Sequence, residues 1–168
     1  MKQLFITFIT LFLLLIAFVA CTCNKEENED YFDEPIDVPF TMFSMSEDLN
    51  DNRLPGTSCR WLEFRGNVER NEVIVINNDR ELRRHTACVE ESDLPVIDFS
   101  KYTLLLVRGL DHGVAYPWYV NLQQLSSQSY VVNVRIVRSG LAVTSYWHAA
   151  IITDKLDRNT RMRVNVID

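Results

Sequence analysis

Hydrophobic and polar positions alternate with period two through most of the second half of the chain, the signature of half-buried strands. Tyr130, Val132, Val134 and Ile136 take one face of such a segment, with Asn133 and Arg135 on the other. Met162, Val164 and Val166 alternate in the same way with Arg161, Arg163 and Asn165. Residues 114–125 alternate through Trp118, Val120 and Leu122 once past Pro117. Tyr102 to Val107 is apolar on both faces, as expected of a central strand, and Val143 to Ile152 is another long, mostly apolar strand. Gly109, Ser126-Ser127, Ser139-Gly140 and residues 157–160 punctuate the series with turn chemistry. Five strands on short connections predict an antiparallel meander.

The pattern upstream is less regular. Val73-Ile74-Val75-Ile76 is a β-branched run that suits a buried strand, and Arg60 to Arg65 alternates up to a Gly66-Asn67 turn. Between Ile76 and Pro95 lies the best helix signal, over residues 79–87. Asn78 can cap it, Glu81 stands three residues on, Leu82 points inward, and Arg80, Arg83 and Arg84 point outward. From Tyr31 to Gly56, Pro35, Pro39 and Pro55 favour an extended lead-in with Phe40, Met42 and Phe43 laid on the domain. The expected class is β-rich α+β, with an antiparallel sheet or meander, sandwich- or barrel-like, and one helix.

The first twenty residues follow neither period. Lys2 precedes an apolar stretch from Leu4 to Val19, and the small residue Ala20 stands before Cys21, as a signal peptide requires. Phe18-Val19-Ala20-Cys21 resembles the lipobox of bacterial lipoproteins, whose cysteine receives diacylglycerol on sulfur. The resemblance implies a lipid anchor on Cys21 and a place in the cell envelope, on the outer membrane. The following Asn24-Lys25-Glu26-Glu27-Asn28-Glu29-Asp30 is too polar and too charged to fold alone. Its Lys25-Glu26-Glu27 is similar to the surface-export signal of Bacteroidota lipoproteins. The expected organisation is a signal peptide over 1–20, a lipidated acidic tether over 21–38 and a single β-rich domain over 39–168.

Charge narrows the partners. The chain carries a net charge of −6, and its carboxylates lie mostly before Lys101. No clustered basic face stands out, which argues against nucleic acid. With Cys21 assigned to lipid, Cys23, Cys59 and Cys88 remain. An oxidising compartment permits a Cys59–Cys88 disulfide and leaves Cys23 in the tether.

Catalytic chemistry finds little support. The three histidines, His85, His112 and His148, are not at metal-ligand spacing, and no nucleophile elbow or phosphate-cradling glycine loop occurs. No metal or cofactor is implied. His85, late in the helix, suits a cation at the negative end of the dipole. His148 is expected on the face opposite Trp147. Asp111-His112 could act as an acid–base pair if a cleft formed around it, which makes a hydrolase the alternative reading. Aromatics offer more: Tyr116, Trp118, Tyr119, Tyr130, Tyr146 and Trp147 concentrate in the strand region. Those left exposed on one face would give a platform for a sugar or a protein.

Leu94-Pro95-Val96-Ile97-Asp98-Phe99-Ser100-Lys101-Tyr102-Thr103-Leu104-Leu105-Leu106-Val107-Arg108-Gly109, with Asn78-Asp79-Arg80-Glu81-Leu82 upstream, resembles the PrcB C-terminal-like family, named for a protease complex. The resemblance spans about residues 73–166. It implies an extracytoplasmic, non-catalytic β-rich domain associated with a surface protease, and it carries over no functional residues. The family's glycine-rich hairpin is replaced here by Leu110-Asp111-His112-Gly113-Val114-Ala115-Tyr116-Pro117. By its own chemistry, Asp98-Phe99-Ser100 should seal the bottom of the sheet and cap the start of the next strand. The function expected is a non-catalytic binding or accessory module for a protein partner or a polysaccharide, or else a structural subunit of an outer-membrane assembly.

Overall fold

The computed structural model describes residues 30–46, 52–62, 71–140 and 143–167. The expected signal peptide, Cys21, Cys23, the acidic run before Asp30 and the turn expected at Gly66-Asn67 lie outside them. In chain order the elements are β1 (Tyr31–Asp37), β2 (Phe40–Met45), β3 (Arg60–Trp61), β4 (Glu72–Ile76), helix α1 (Asp79–His85) and β5 (Thr86–Ala87). A 3-10 turn, Glu91–Asp93, leads to β6 (Tyr102–His112), β7 (Ala115–Ser126), β8 (Ser129–Arg138), β9 (Thr144–Asp154) and β10 (Arg161–Ile167).

The fold is a β-rich α+β sandwich. One four-stranded sheet runs β1-β7-β8-β10, the other β2-β9-β6-β4, and β3 pairs with β5 in a small third sheet. The five long strands stand where the period-two pattern puts them, but they do not form a simple meander. Only β7 and β8 pair as sequence neighbours, across a turn in which the Ser126 hydroxyl accepts from the amides of Gln128 and Ser129. At Gly113, where φ is +129°, the chain leaves the second sheet for the first; that backbone region favours glycine. The chain then returns to the second sheet for β9 and back again for β10. Two such crossings restore the original direction, so β10 lies parallel to β8, in register from Ser129↔Arg161 to Arg135↔Ile167.

Facing sides of the two sheets make the main core. Leu105 and Val107 from β6 and Trp147, Ala149 and Ile151 from β9 meet Val120, Leu122, Val132, Val134 and Ile136 from β7 and β8. The second sheet is also covered on its other face, which explains its continuous apolar strands. There Leu104, Leu106, Ile76 and Ala150 pack with Leu54, Cys59, Trp61 and Leu82. Burying each such aliphatic side chain contributes roughly 1.5–3 kcal/mol. A disulfide joins Cys59 to Cys88 in this layer, with the two Cα atoms 3.9 Å apart. Trp61 is anchored by its indole nitrogen, which donates to Ser44 Oγ at 3.0 Å, and it meets Phe43 and His148 edge-on.

Local signals account for the connecting pieces. Asn78 caps α1, its side chain accepting from the amide of Glu81 at 2.9 Å. Glu81 closes the box one residue earlier than expected, on the amide of Asn77. The helix stops at His85 rather than Ala87, because Thr86 and Ala87 are taken into the pairing with β3. Asp98 accepts from the amide of Ser100 at 3.1 Å, and Phe99 packs into the second core, so the motif seals the sheet at the start of β6. The largest departure is at the N-terminal side. Residues 31–37, expected as the end of the tether, form a strand against β7, and the Phe40 segment forms β2 against β9. Pro35 and Pro39, together with Asp33, Glu34 and Asp37, hid β1, which is exposed along its full length and meets β7 irregularly. Among the described residues no helix is long and apolar enough to cross a membrane.

Candidate functional site

Among the described residues the first sheet is covered on one face only. Its outer face presents alternate residues of β7, β8 and β10 to solvent, opposite the core-facing Val132, Val134 and Val164.

At one end of this face, β7 has a bulge between Pro117 and Tyr119. Proline cannot donate to the ladder, and the extra residue lets two consecutive side chains stand out of the sheet. These are Trp118, 53% exposed, and Tyr119, 46% exposed, with ring centroids 6.1 Å apart and planes tilted by 50°. Arg135, opposite Tyr119 on β8, reaches both: its guanidinium carbon is 5.9 Å from the Trp118 centroid and 5.8 Å from that of Tyr119. Each such contact contributes about 0.5–1 kcal/mol at an exposed site, a modest bias towards the stacked arrangement.

The next row along the strands is built of amides. Asn121, Asn133 and Asn165 lie directly opposite one another on β7, β8 and β10. Asn165 donates to Asn133 at 2.9 Å, Asn133 to Gln123 at 2.9 Å, and both Gln123 and Asn121 donate to Asp37 on β1 at 3.0 Å. The Asn121 amide, and after it that of Gln123, holds the Asp37 carboxyl below its ordinary pKa. One hydrogen-bonded chain of side chains thus crosses all four strands. Beyond it stand Val131 and the exposed Arg163, opposite each other on β8 and β10.

No family model, no curated protein and no solved structure matches this chain.

Of the aromatics singled out from sequence, Trp118 and Tyr119 come together. Tyr116 is half-buried on the same face, opposite Val137. Tyr146 is exposed, but on the far face of the second sheet, where β9 turns its even-numbered side chains away from the sandwich core. Trp147 is a correction: at 1% exposure it is a core residue between the sheets and belongs to no platform. Tyr130 packs against the same core, and burial raises its pKa. His148 lies opposite Trp147, against Trp61, as strand alternation predicts.

The acid–base pair does not assemble. Asp111 and His112 are the last two residues of β6. Consecutive strand residues leave opposite faces. Asp111 turns to Arg138, which donates from Nε at 2.8 Å and links the two sheets, while His112 is exposed. Among the described residues no three His, Cys, Asp or Glu side chains converge where a metal ion could be held.

His85 also departs from its expected charge. It ends α1 half-buried, and burial pushes its pKa below 6.5. The positive charges of Arg108 and Arg84 act in the same direction, while Glu72 and Glu81 oppose them. The unfolded chain therefore binds the proton more readily than the folded one. Stability should fall as pH drops below about 6.5 towards the lower folded value. Urea midpoints at pH 7.5, 6.5 and 5.5 should show this decline, with a shallower slope in His85→Gln.

The amide chain and the place of Arg135 were not legible from sequence. Asn133, Arg135, Asn165 and Arg163 stood out as outward residues, but only the strand register sets them opposite one another.

Proposed function

We propose that this chain is a non-catalytic binding or accessory module of the cell envelope, held by a lipid on Cys21 and offering the outer face of its first sheet to a protein partner or surface polymer. The observation that carries this reading is the Trp118–Tyr119–Arg135 cluster, which stands exposed beside a hydrogen-bonded amide surface. Large aromatics with arginine are the side chains on which recognition surfaces concentrate their binding energy. The lipobox resemblance of Phe18-Val19-Ala20-Cys21 and the family resemblance around Asp98-Phe99-Ser100-Lys101 support the location and the accessory role. Hydrolysis by Asp111 and His112 finds no such support, since the two side chains diverge.

The test is made on intact cells. Wild-type protein should fractionate with the membrane and Cys21→Ala should not. Crosslinking or glycan capture should yield a specific partner with wild type and at least tenfold less with Trp118→Ala, whose side chain lies outside the core. Equal recovery with both would remove this face from the function. Membrane association of Cys21→Ala would remove the lipid anchor.

A further inference from the structure

Resting on that reading, we propose that the outer face of the first sheet binds an acidic polysaccharide, one whose uronic-acid carboxylates are separated by neutral sugars. The order of chemistries along the face points to such a ligand. Strand residues on one face repeat about every 6.6 Å, so the face reads as rows of that spacing. The first row is Trp118, Tyr119 and Arg135, the second the asparagines centred on Asn133 and Asn165, the third Val131 and Arg163. Rings offer a flat apolar surface to the C–H face of a sugar. Primary amides each carry donors and an acceptor, and so match hydroxyl groups in either sense. Arginine presents a planar fork suited to a carboxylate.

Charge decides against a neutral polymer. The chain as a whole is at −6, yet this face carries Arg135 and Arg163. Asp37 keeps its negative charge while accepting from two amides, but it stands on β1, at the opposite edge of the sheet from Arg163 on β10. An anion meets attraction on the β8–β10 side of this face. The cations are also sparse: Arg135 and Arg163 are two rows apart, about 13 Å along the strands, with amides between them. A nucleic acid has a charge at every residue and calls for a denser cationic track. A chain alternating charged and neutral sugars carries its charges sparsely in the same way.

The experiment is titration calorimetry of the full chain in detergent with hyaluronan oligosaccharides, with dextran and a thymidine oligonucleotide as comparison ligands. Hyaluronan should bind, and more weakly as salt rises. Trp118→Ala should weaken binding by at least tenfold, and Arg163→Gln should both weaken it and flatten its salt dependence. Arg163 lies on the solvent side of an edge strand, so an unchanged melting temperature in that variant separates recognition from folding. The acidic-polysaccharide inference is overturned if dextran or the oligonucleotide binds as well as hyaluronan. It is overturned equally if hyaluronan does not bind, or binds Arg163→Gln with the same affinity and salt dependence. Hyaluronan failing while Trp118→Ala still abolishes capture of a protein partner on cells would overturn this inference alone and leave the binding-module reading standing.

Discussion

Trp147→Ala should destabilise the protein by about 3–5 kcal/mol, and Gly109→Ala, a far smaller change, by about 1–3 kcal/mol. The two residues face each other across β6 and β9, and the indole lies over the glycine. A methyl group at Gly109 would stand 2.5 Å from Trp147 Cζ2 and 2.6 Å from Cε2, far inside contact distance. It would also meet Asn71 Oδ1, but Asn71 is exposed and its amide can swing aside. The cost of Gly109→Ala therefore comes mainly from the ring. In the double variant the ring is gone and the methyl occupies part of the vacated space. The combined loss should fall short of the sum of the single losses by about 1 kcal/mol or more. Trp147 Nε1 is buried with no hydrogen-bond partner among the described residues, so Trp147→Phe forfeits no polar contact and should cost less than half as much as the alanine. Thermal unfolding of the four proteins checks all of this, with a drop on the order of 10 °C for Trp147→Ala. Strict additivity would mean that the ring does not rest on Gly109.

Opening the Cys59–Cys88 disulfide should cost about 3 kcal/mol, from the entropy of closing a loop between residues 29 apart. The effect should be local in kind. The bridge fastens the segment carrying Leu54 and Trp61 to the end of the α1–β5 unit, where Leu62 donates to the His85 carbonyl and Trp61 pairs with Thr86. All of this lies on the far side of the second sheet. A Cys59→Ala/Cys88→Ala protein should therefore unfold at lower urea concentration, yet keep the exposure of Trp118 and Tyr119 and any affinity that depends on them. An unchanged midpoint would mean that β3, β5 and the second core hold this layer without the bridge.

The five long strands were legible in the sequence because burial on one face writes period two into the chain, and on two faces writes an unbroken apolar run. The same rule set Trp147 and His148 on opposite sides, and the expectation of an oxidising compartment singled out Cys59 and Cys88. Pairing was not legible. Nothing in the β-branched pattern says that β6 takes β9 and β4 as partners rather than β7, since the choice rests on a change of sheet at Gly113. β1 was hidden because both its faces are exposed, which leaves no periodicity to detect. The candidate site was half legible: Trp118 and Tyr119 stood out as aromatics. Their shared face depends on the bulge beside Pro117, and Asn121, Asn133 and Asn165 become a row only through a register that joins three separate strands.

The parallel pairing of β10 with β8 sets the order in which this surface can exist. A chain made from its N-terminus presents β7 and β8 as a ready hairpin, whereas β10 must wait for β9 to enter the opposite sheet and for the chain to cross back. Asn165 and Arg163 arrive with it. The aromatic end of the face, with Arg135, is thus available early, and its Arg163 end only when synthesis is nearly done. A chain cut short before Arg161 would carry the Trp118–Tyr119–Arg135 cluster but lack Arg163 and the Asn165 end of the amide chain.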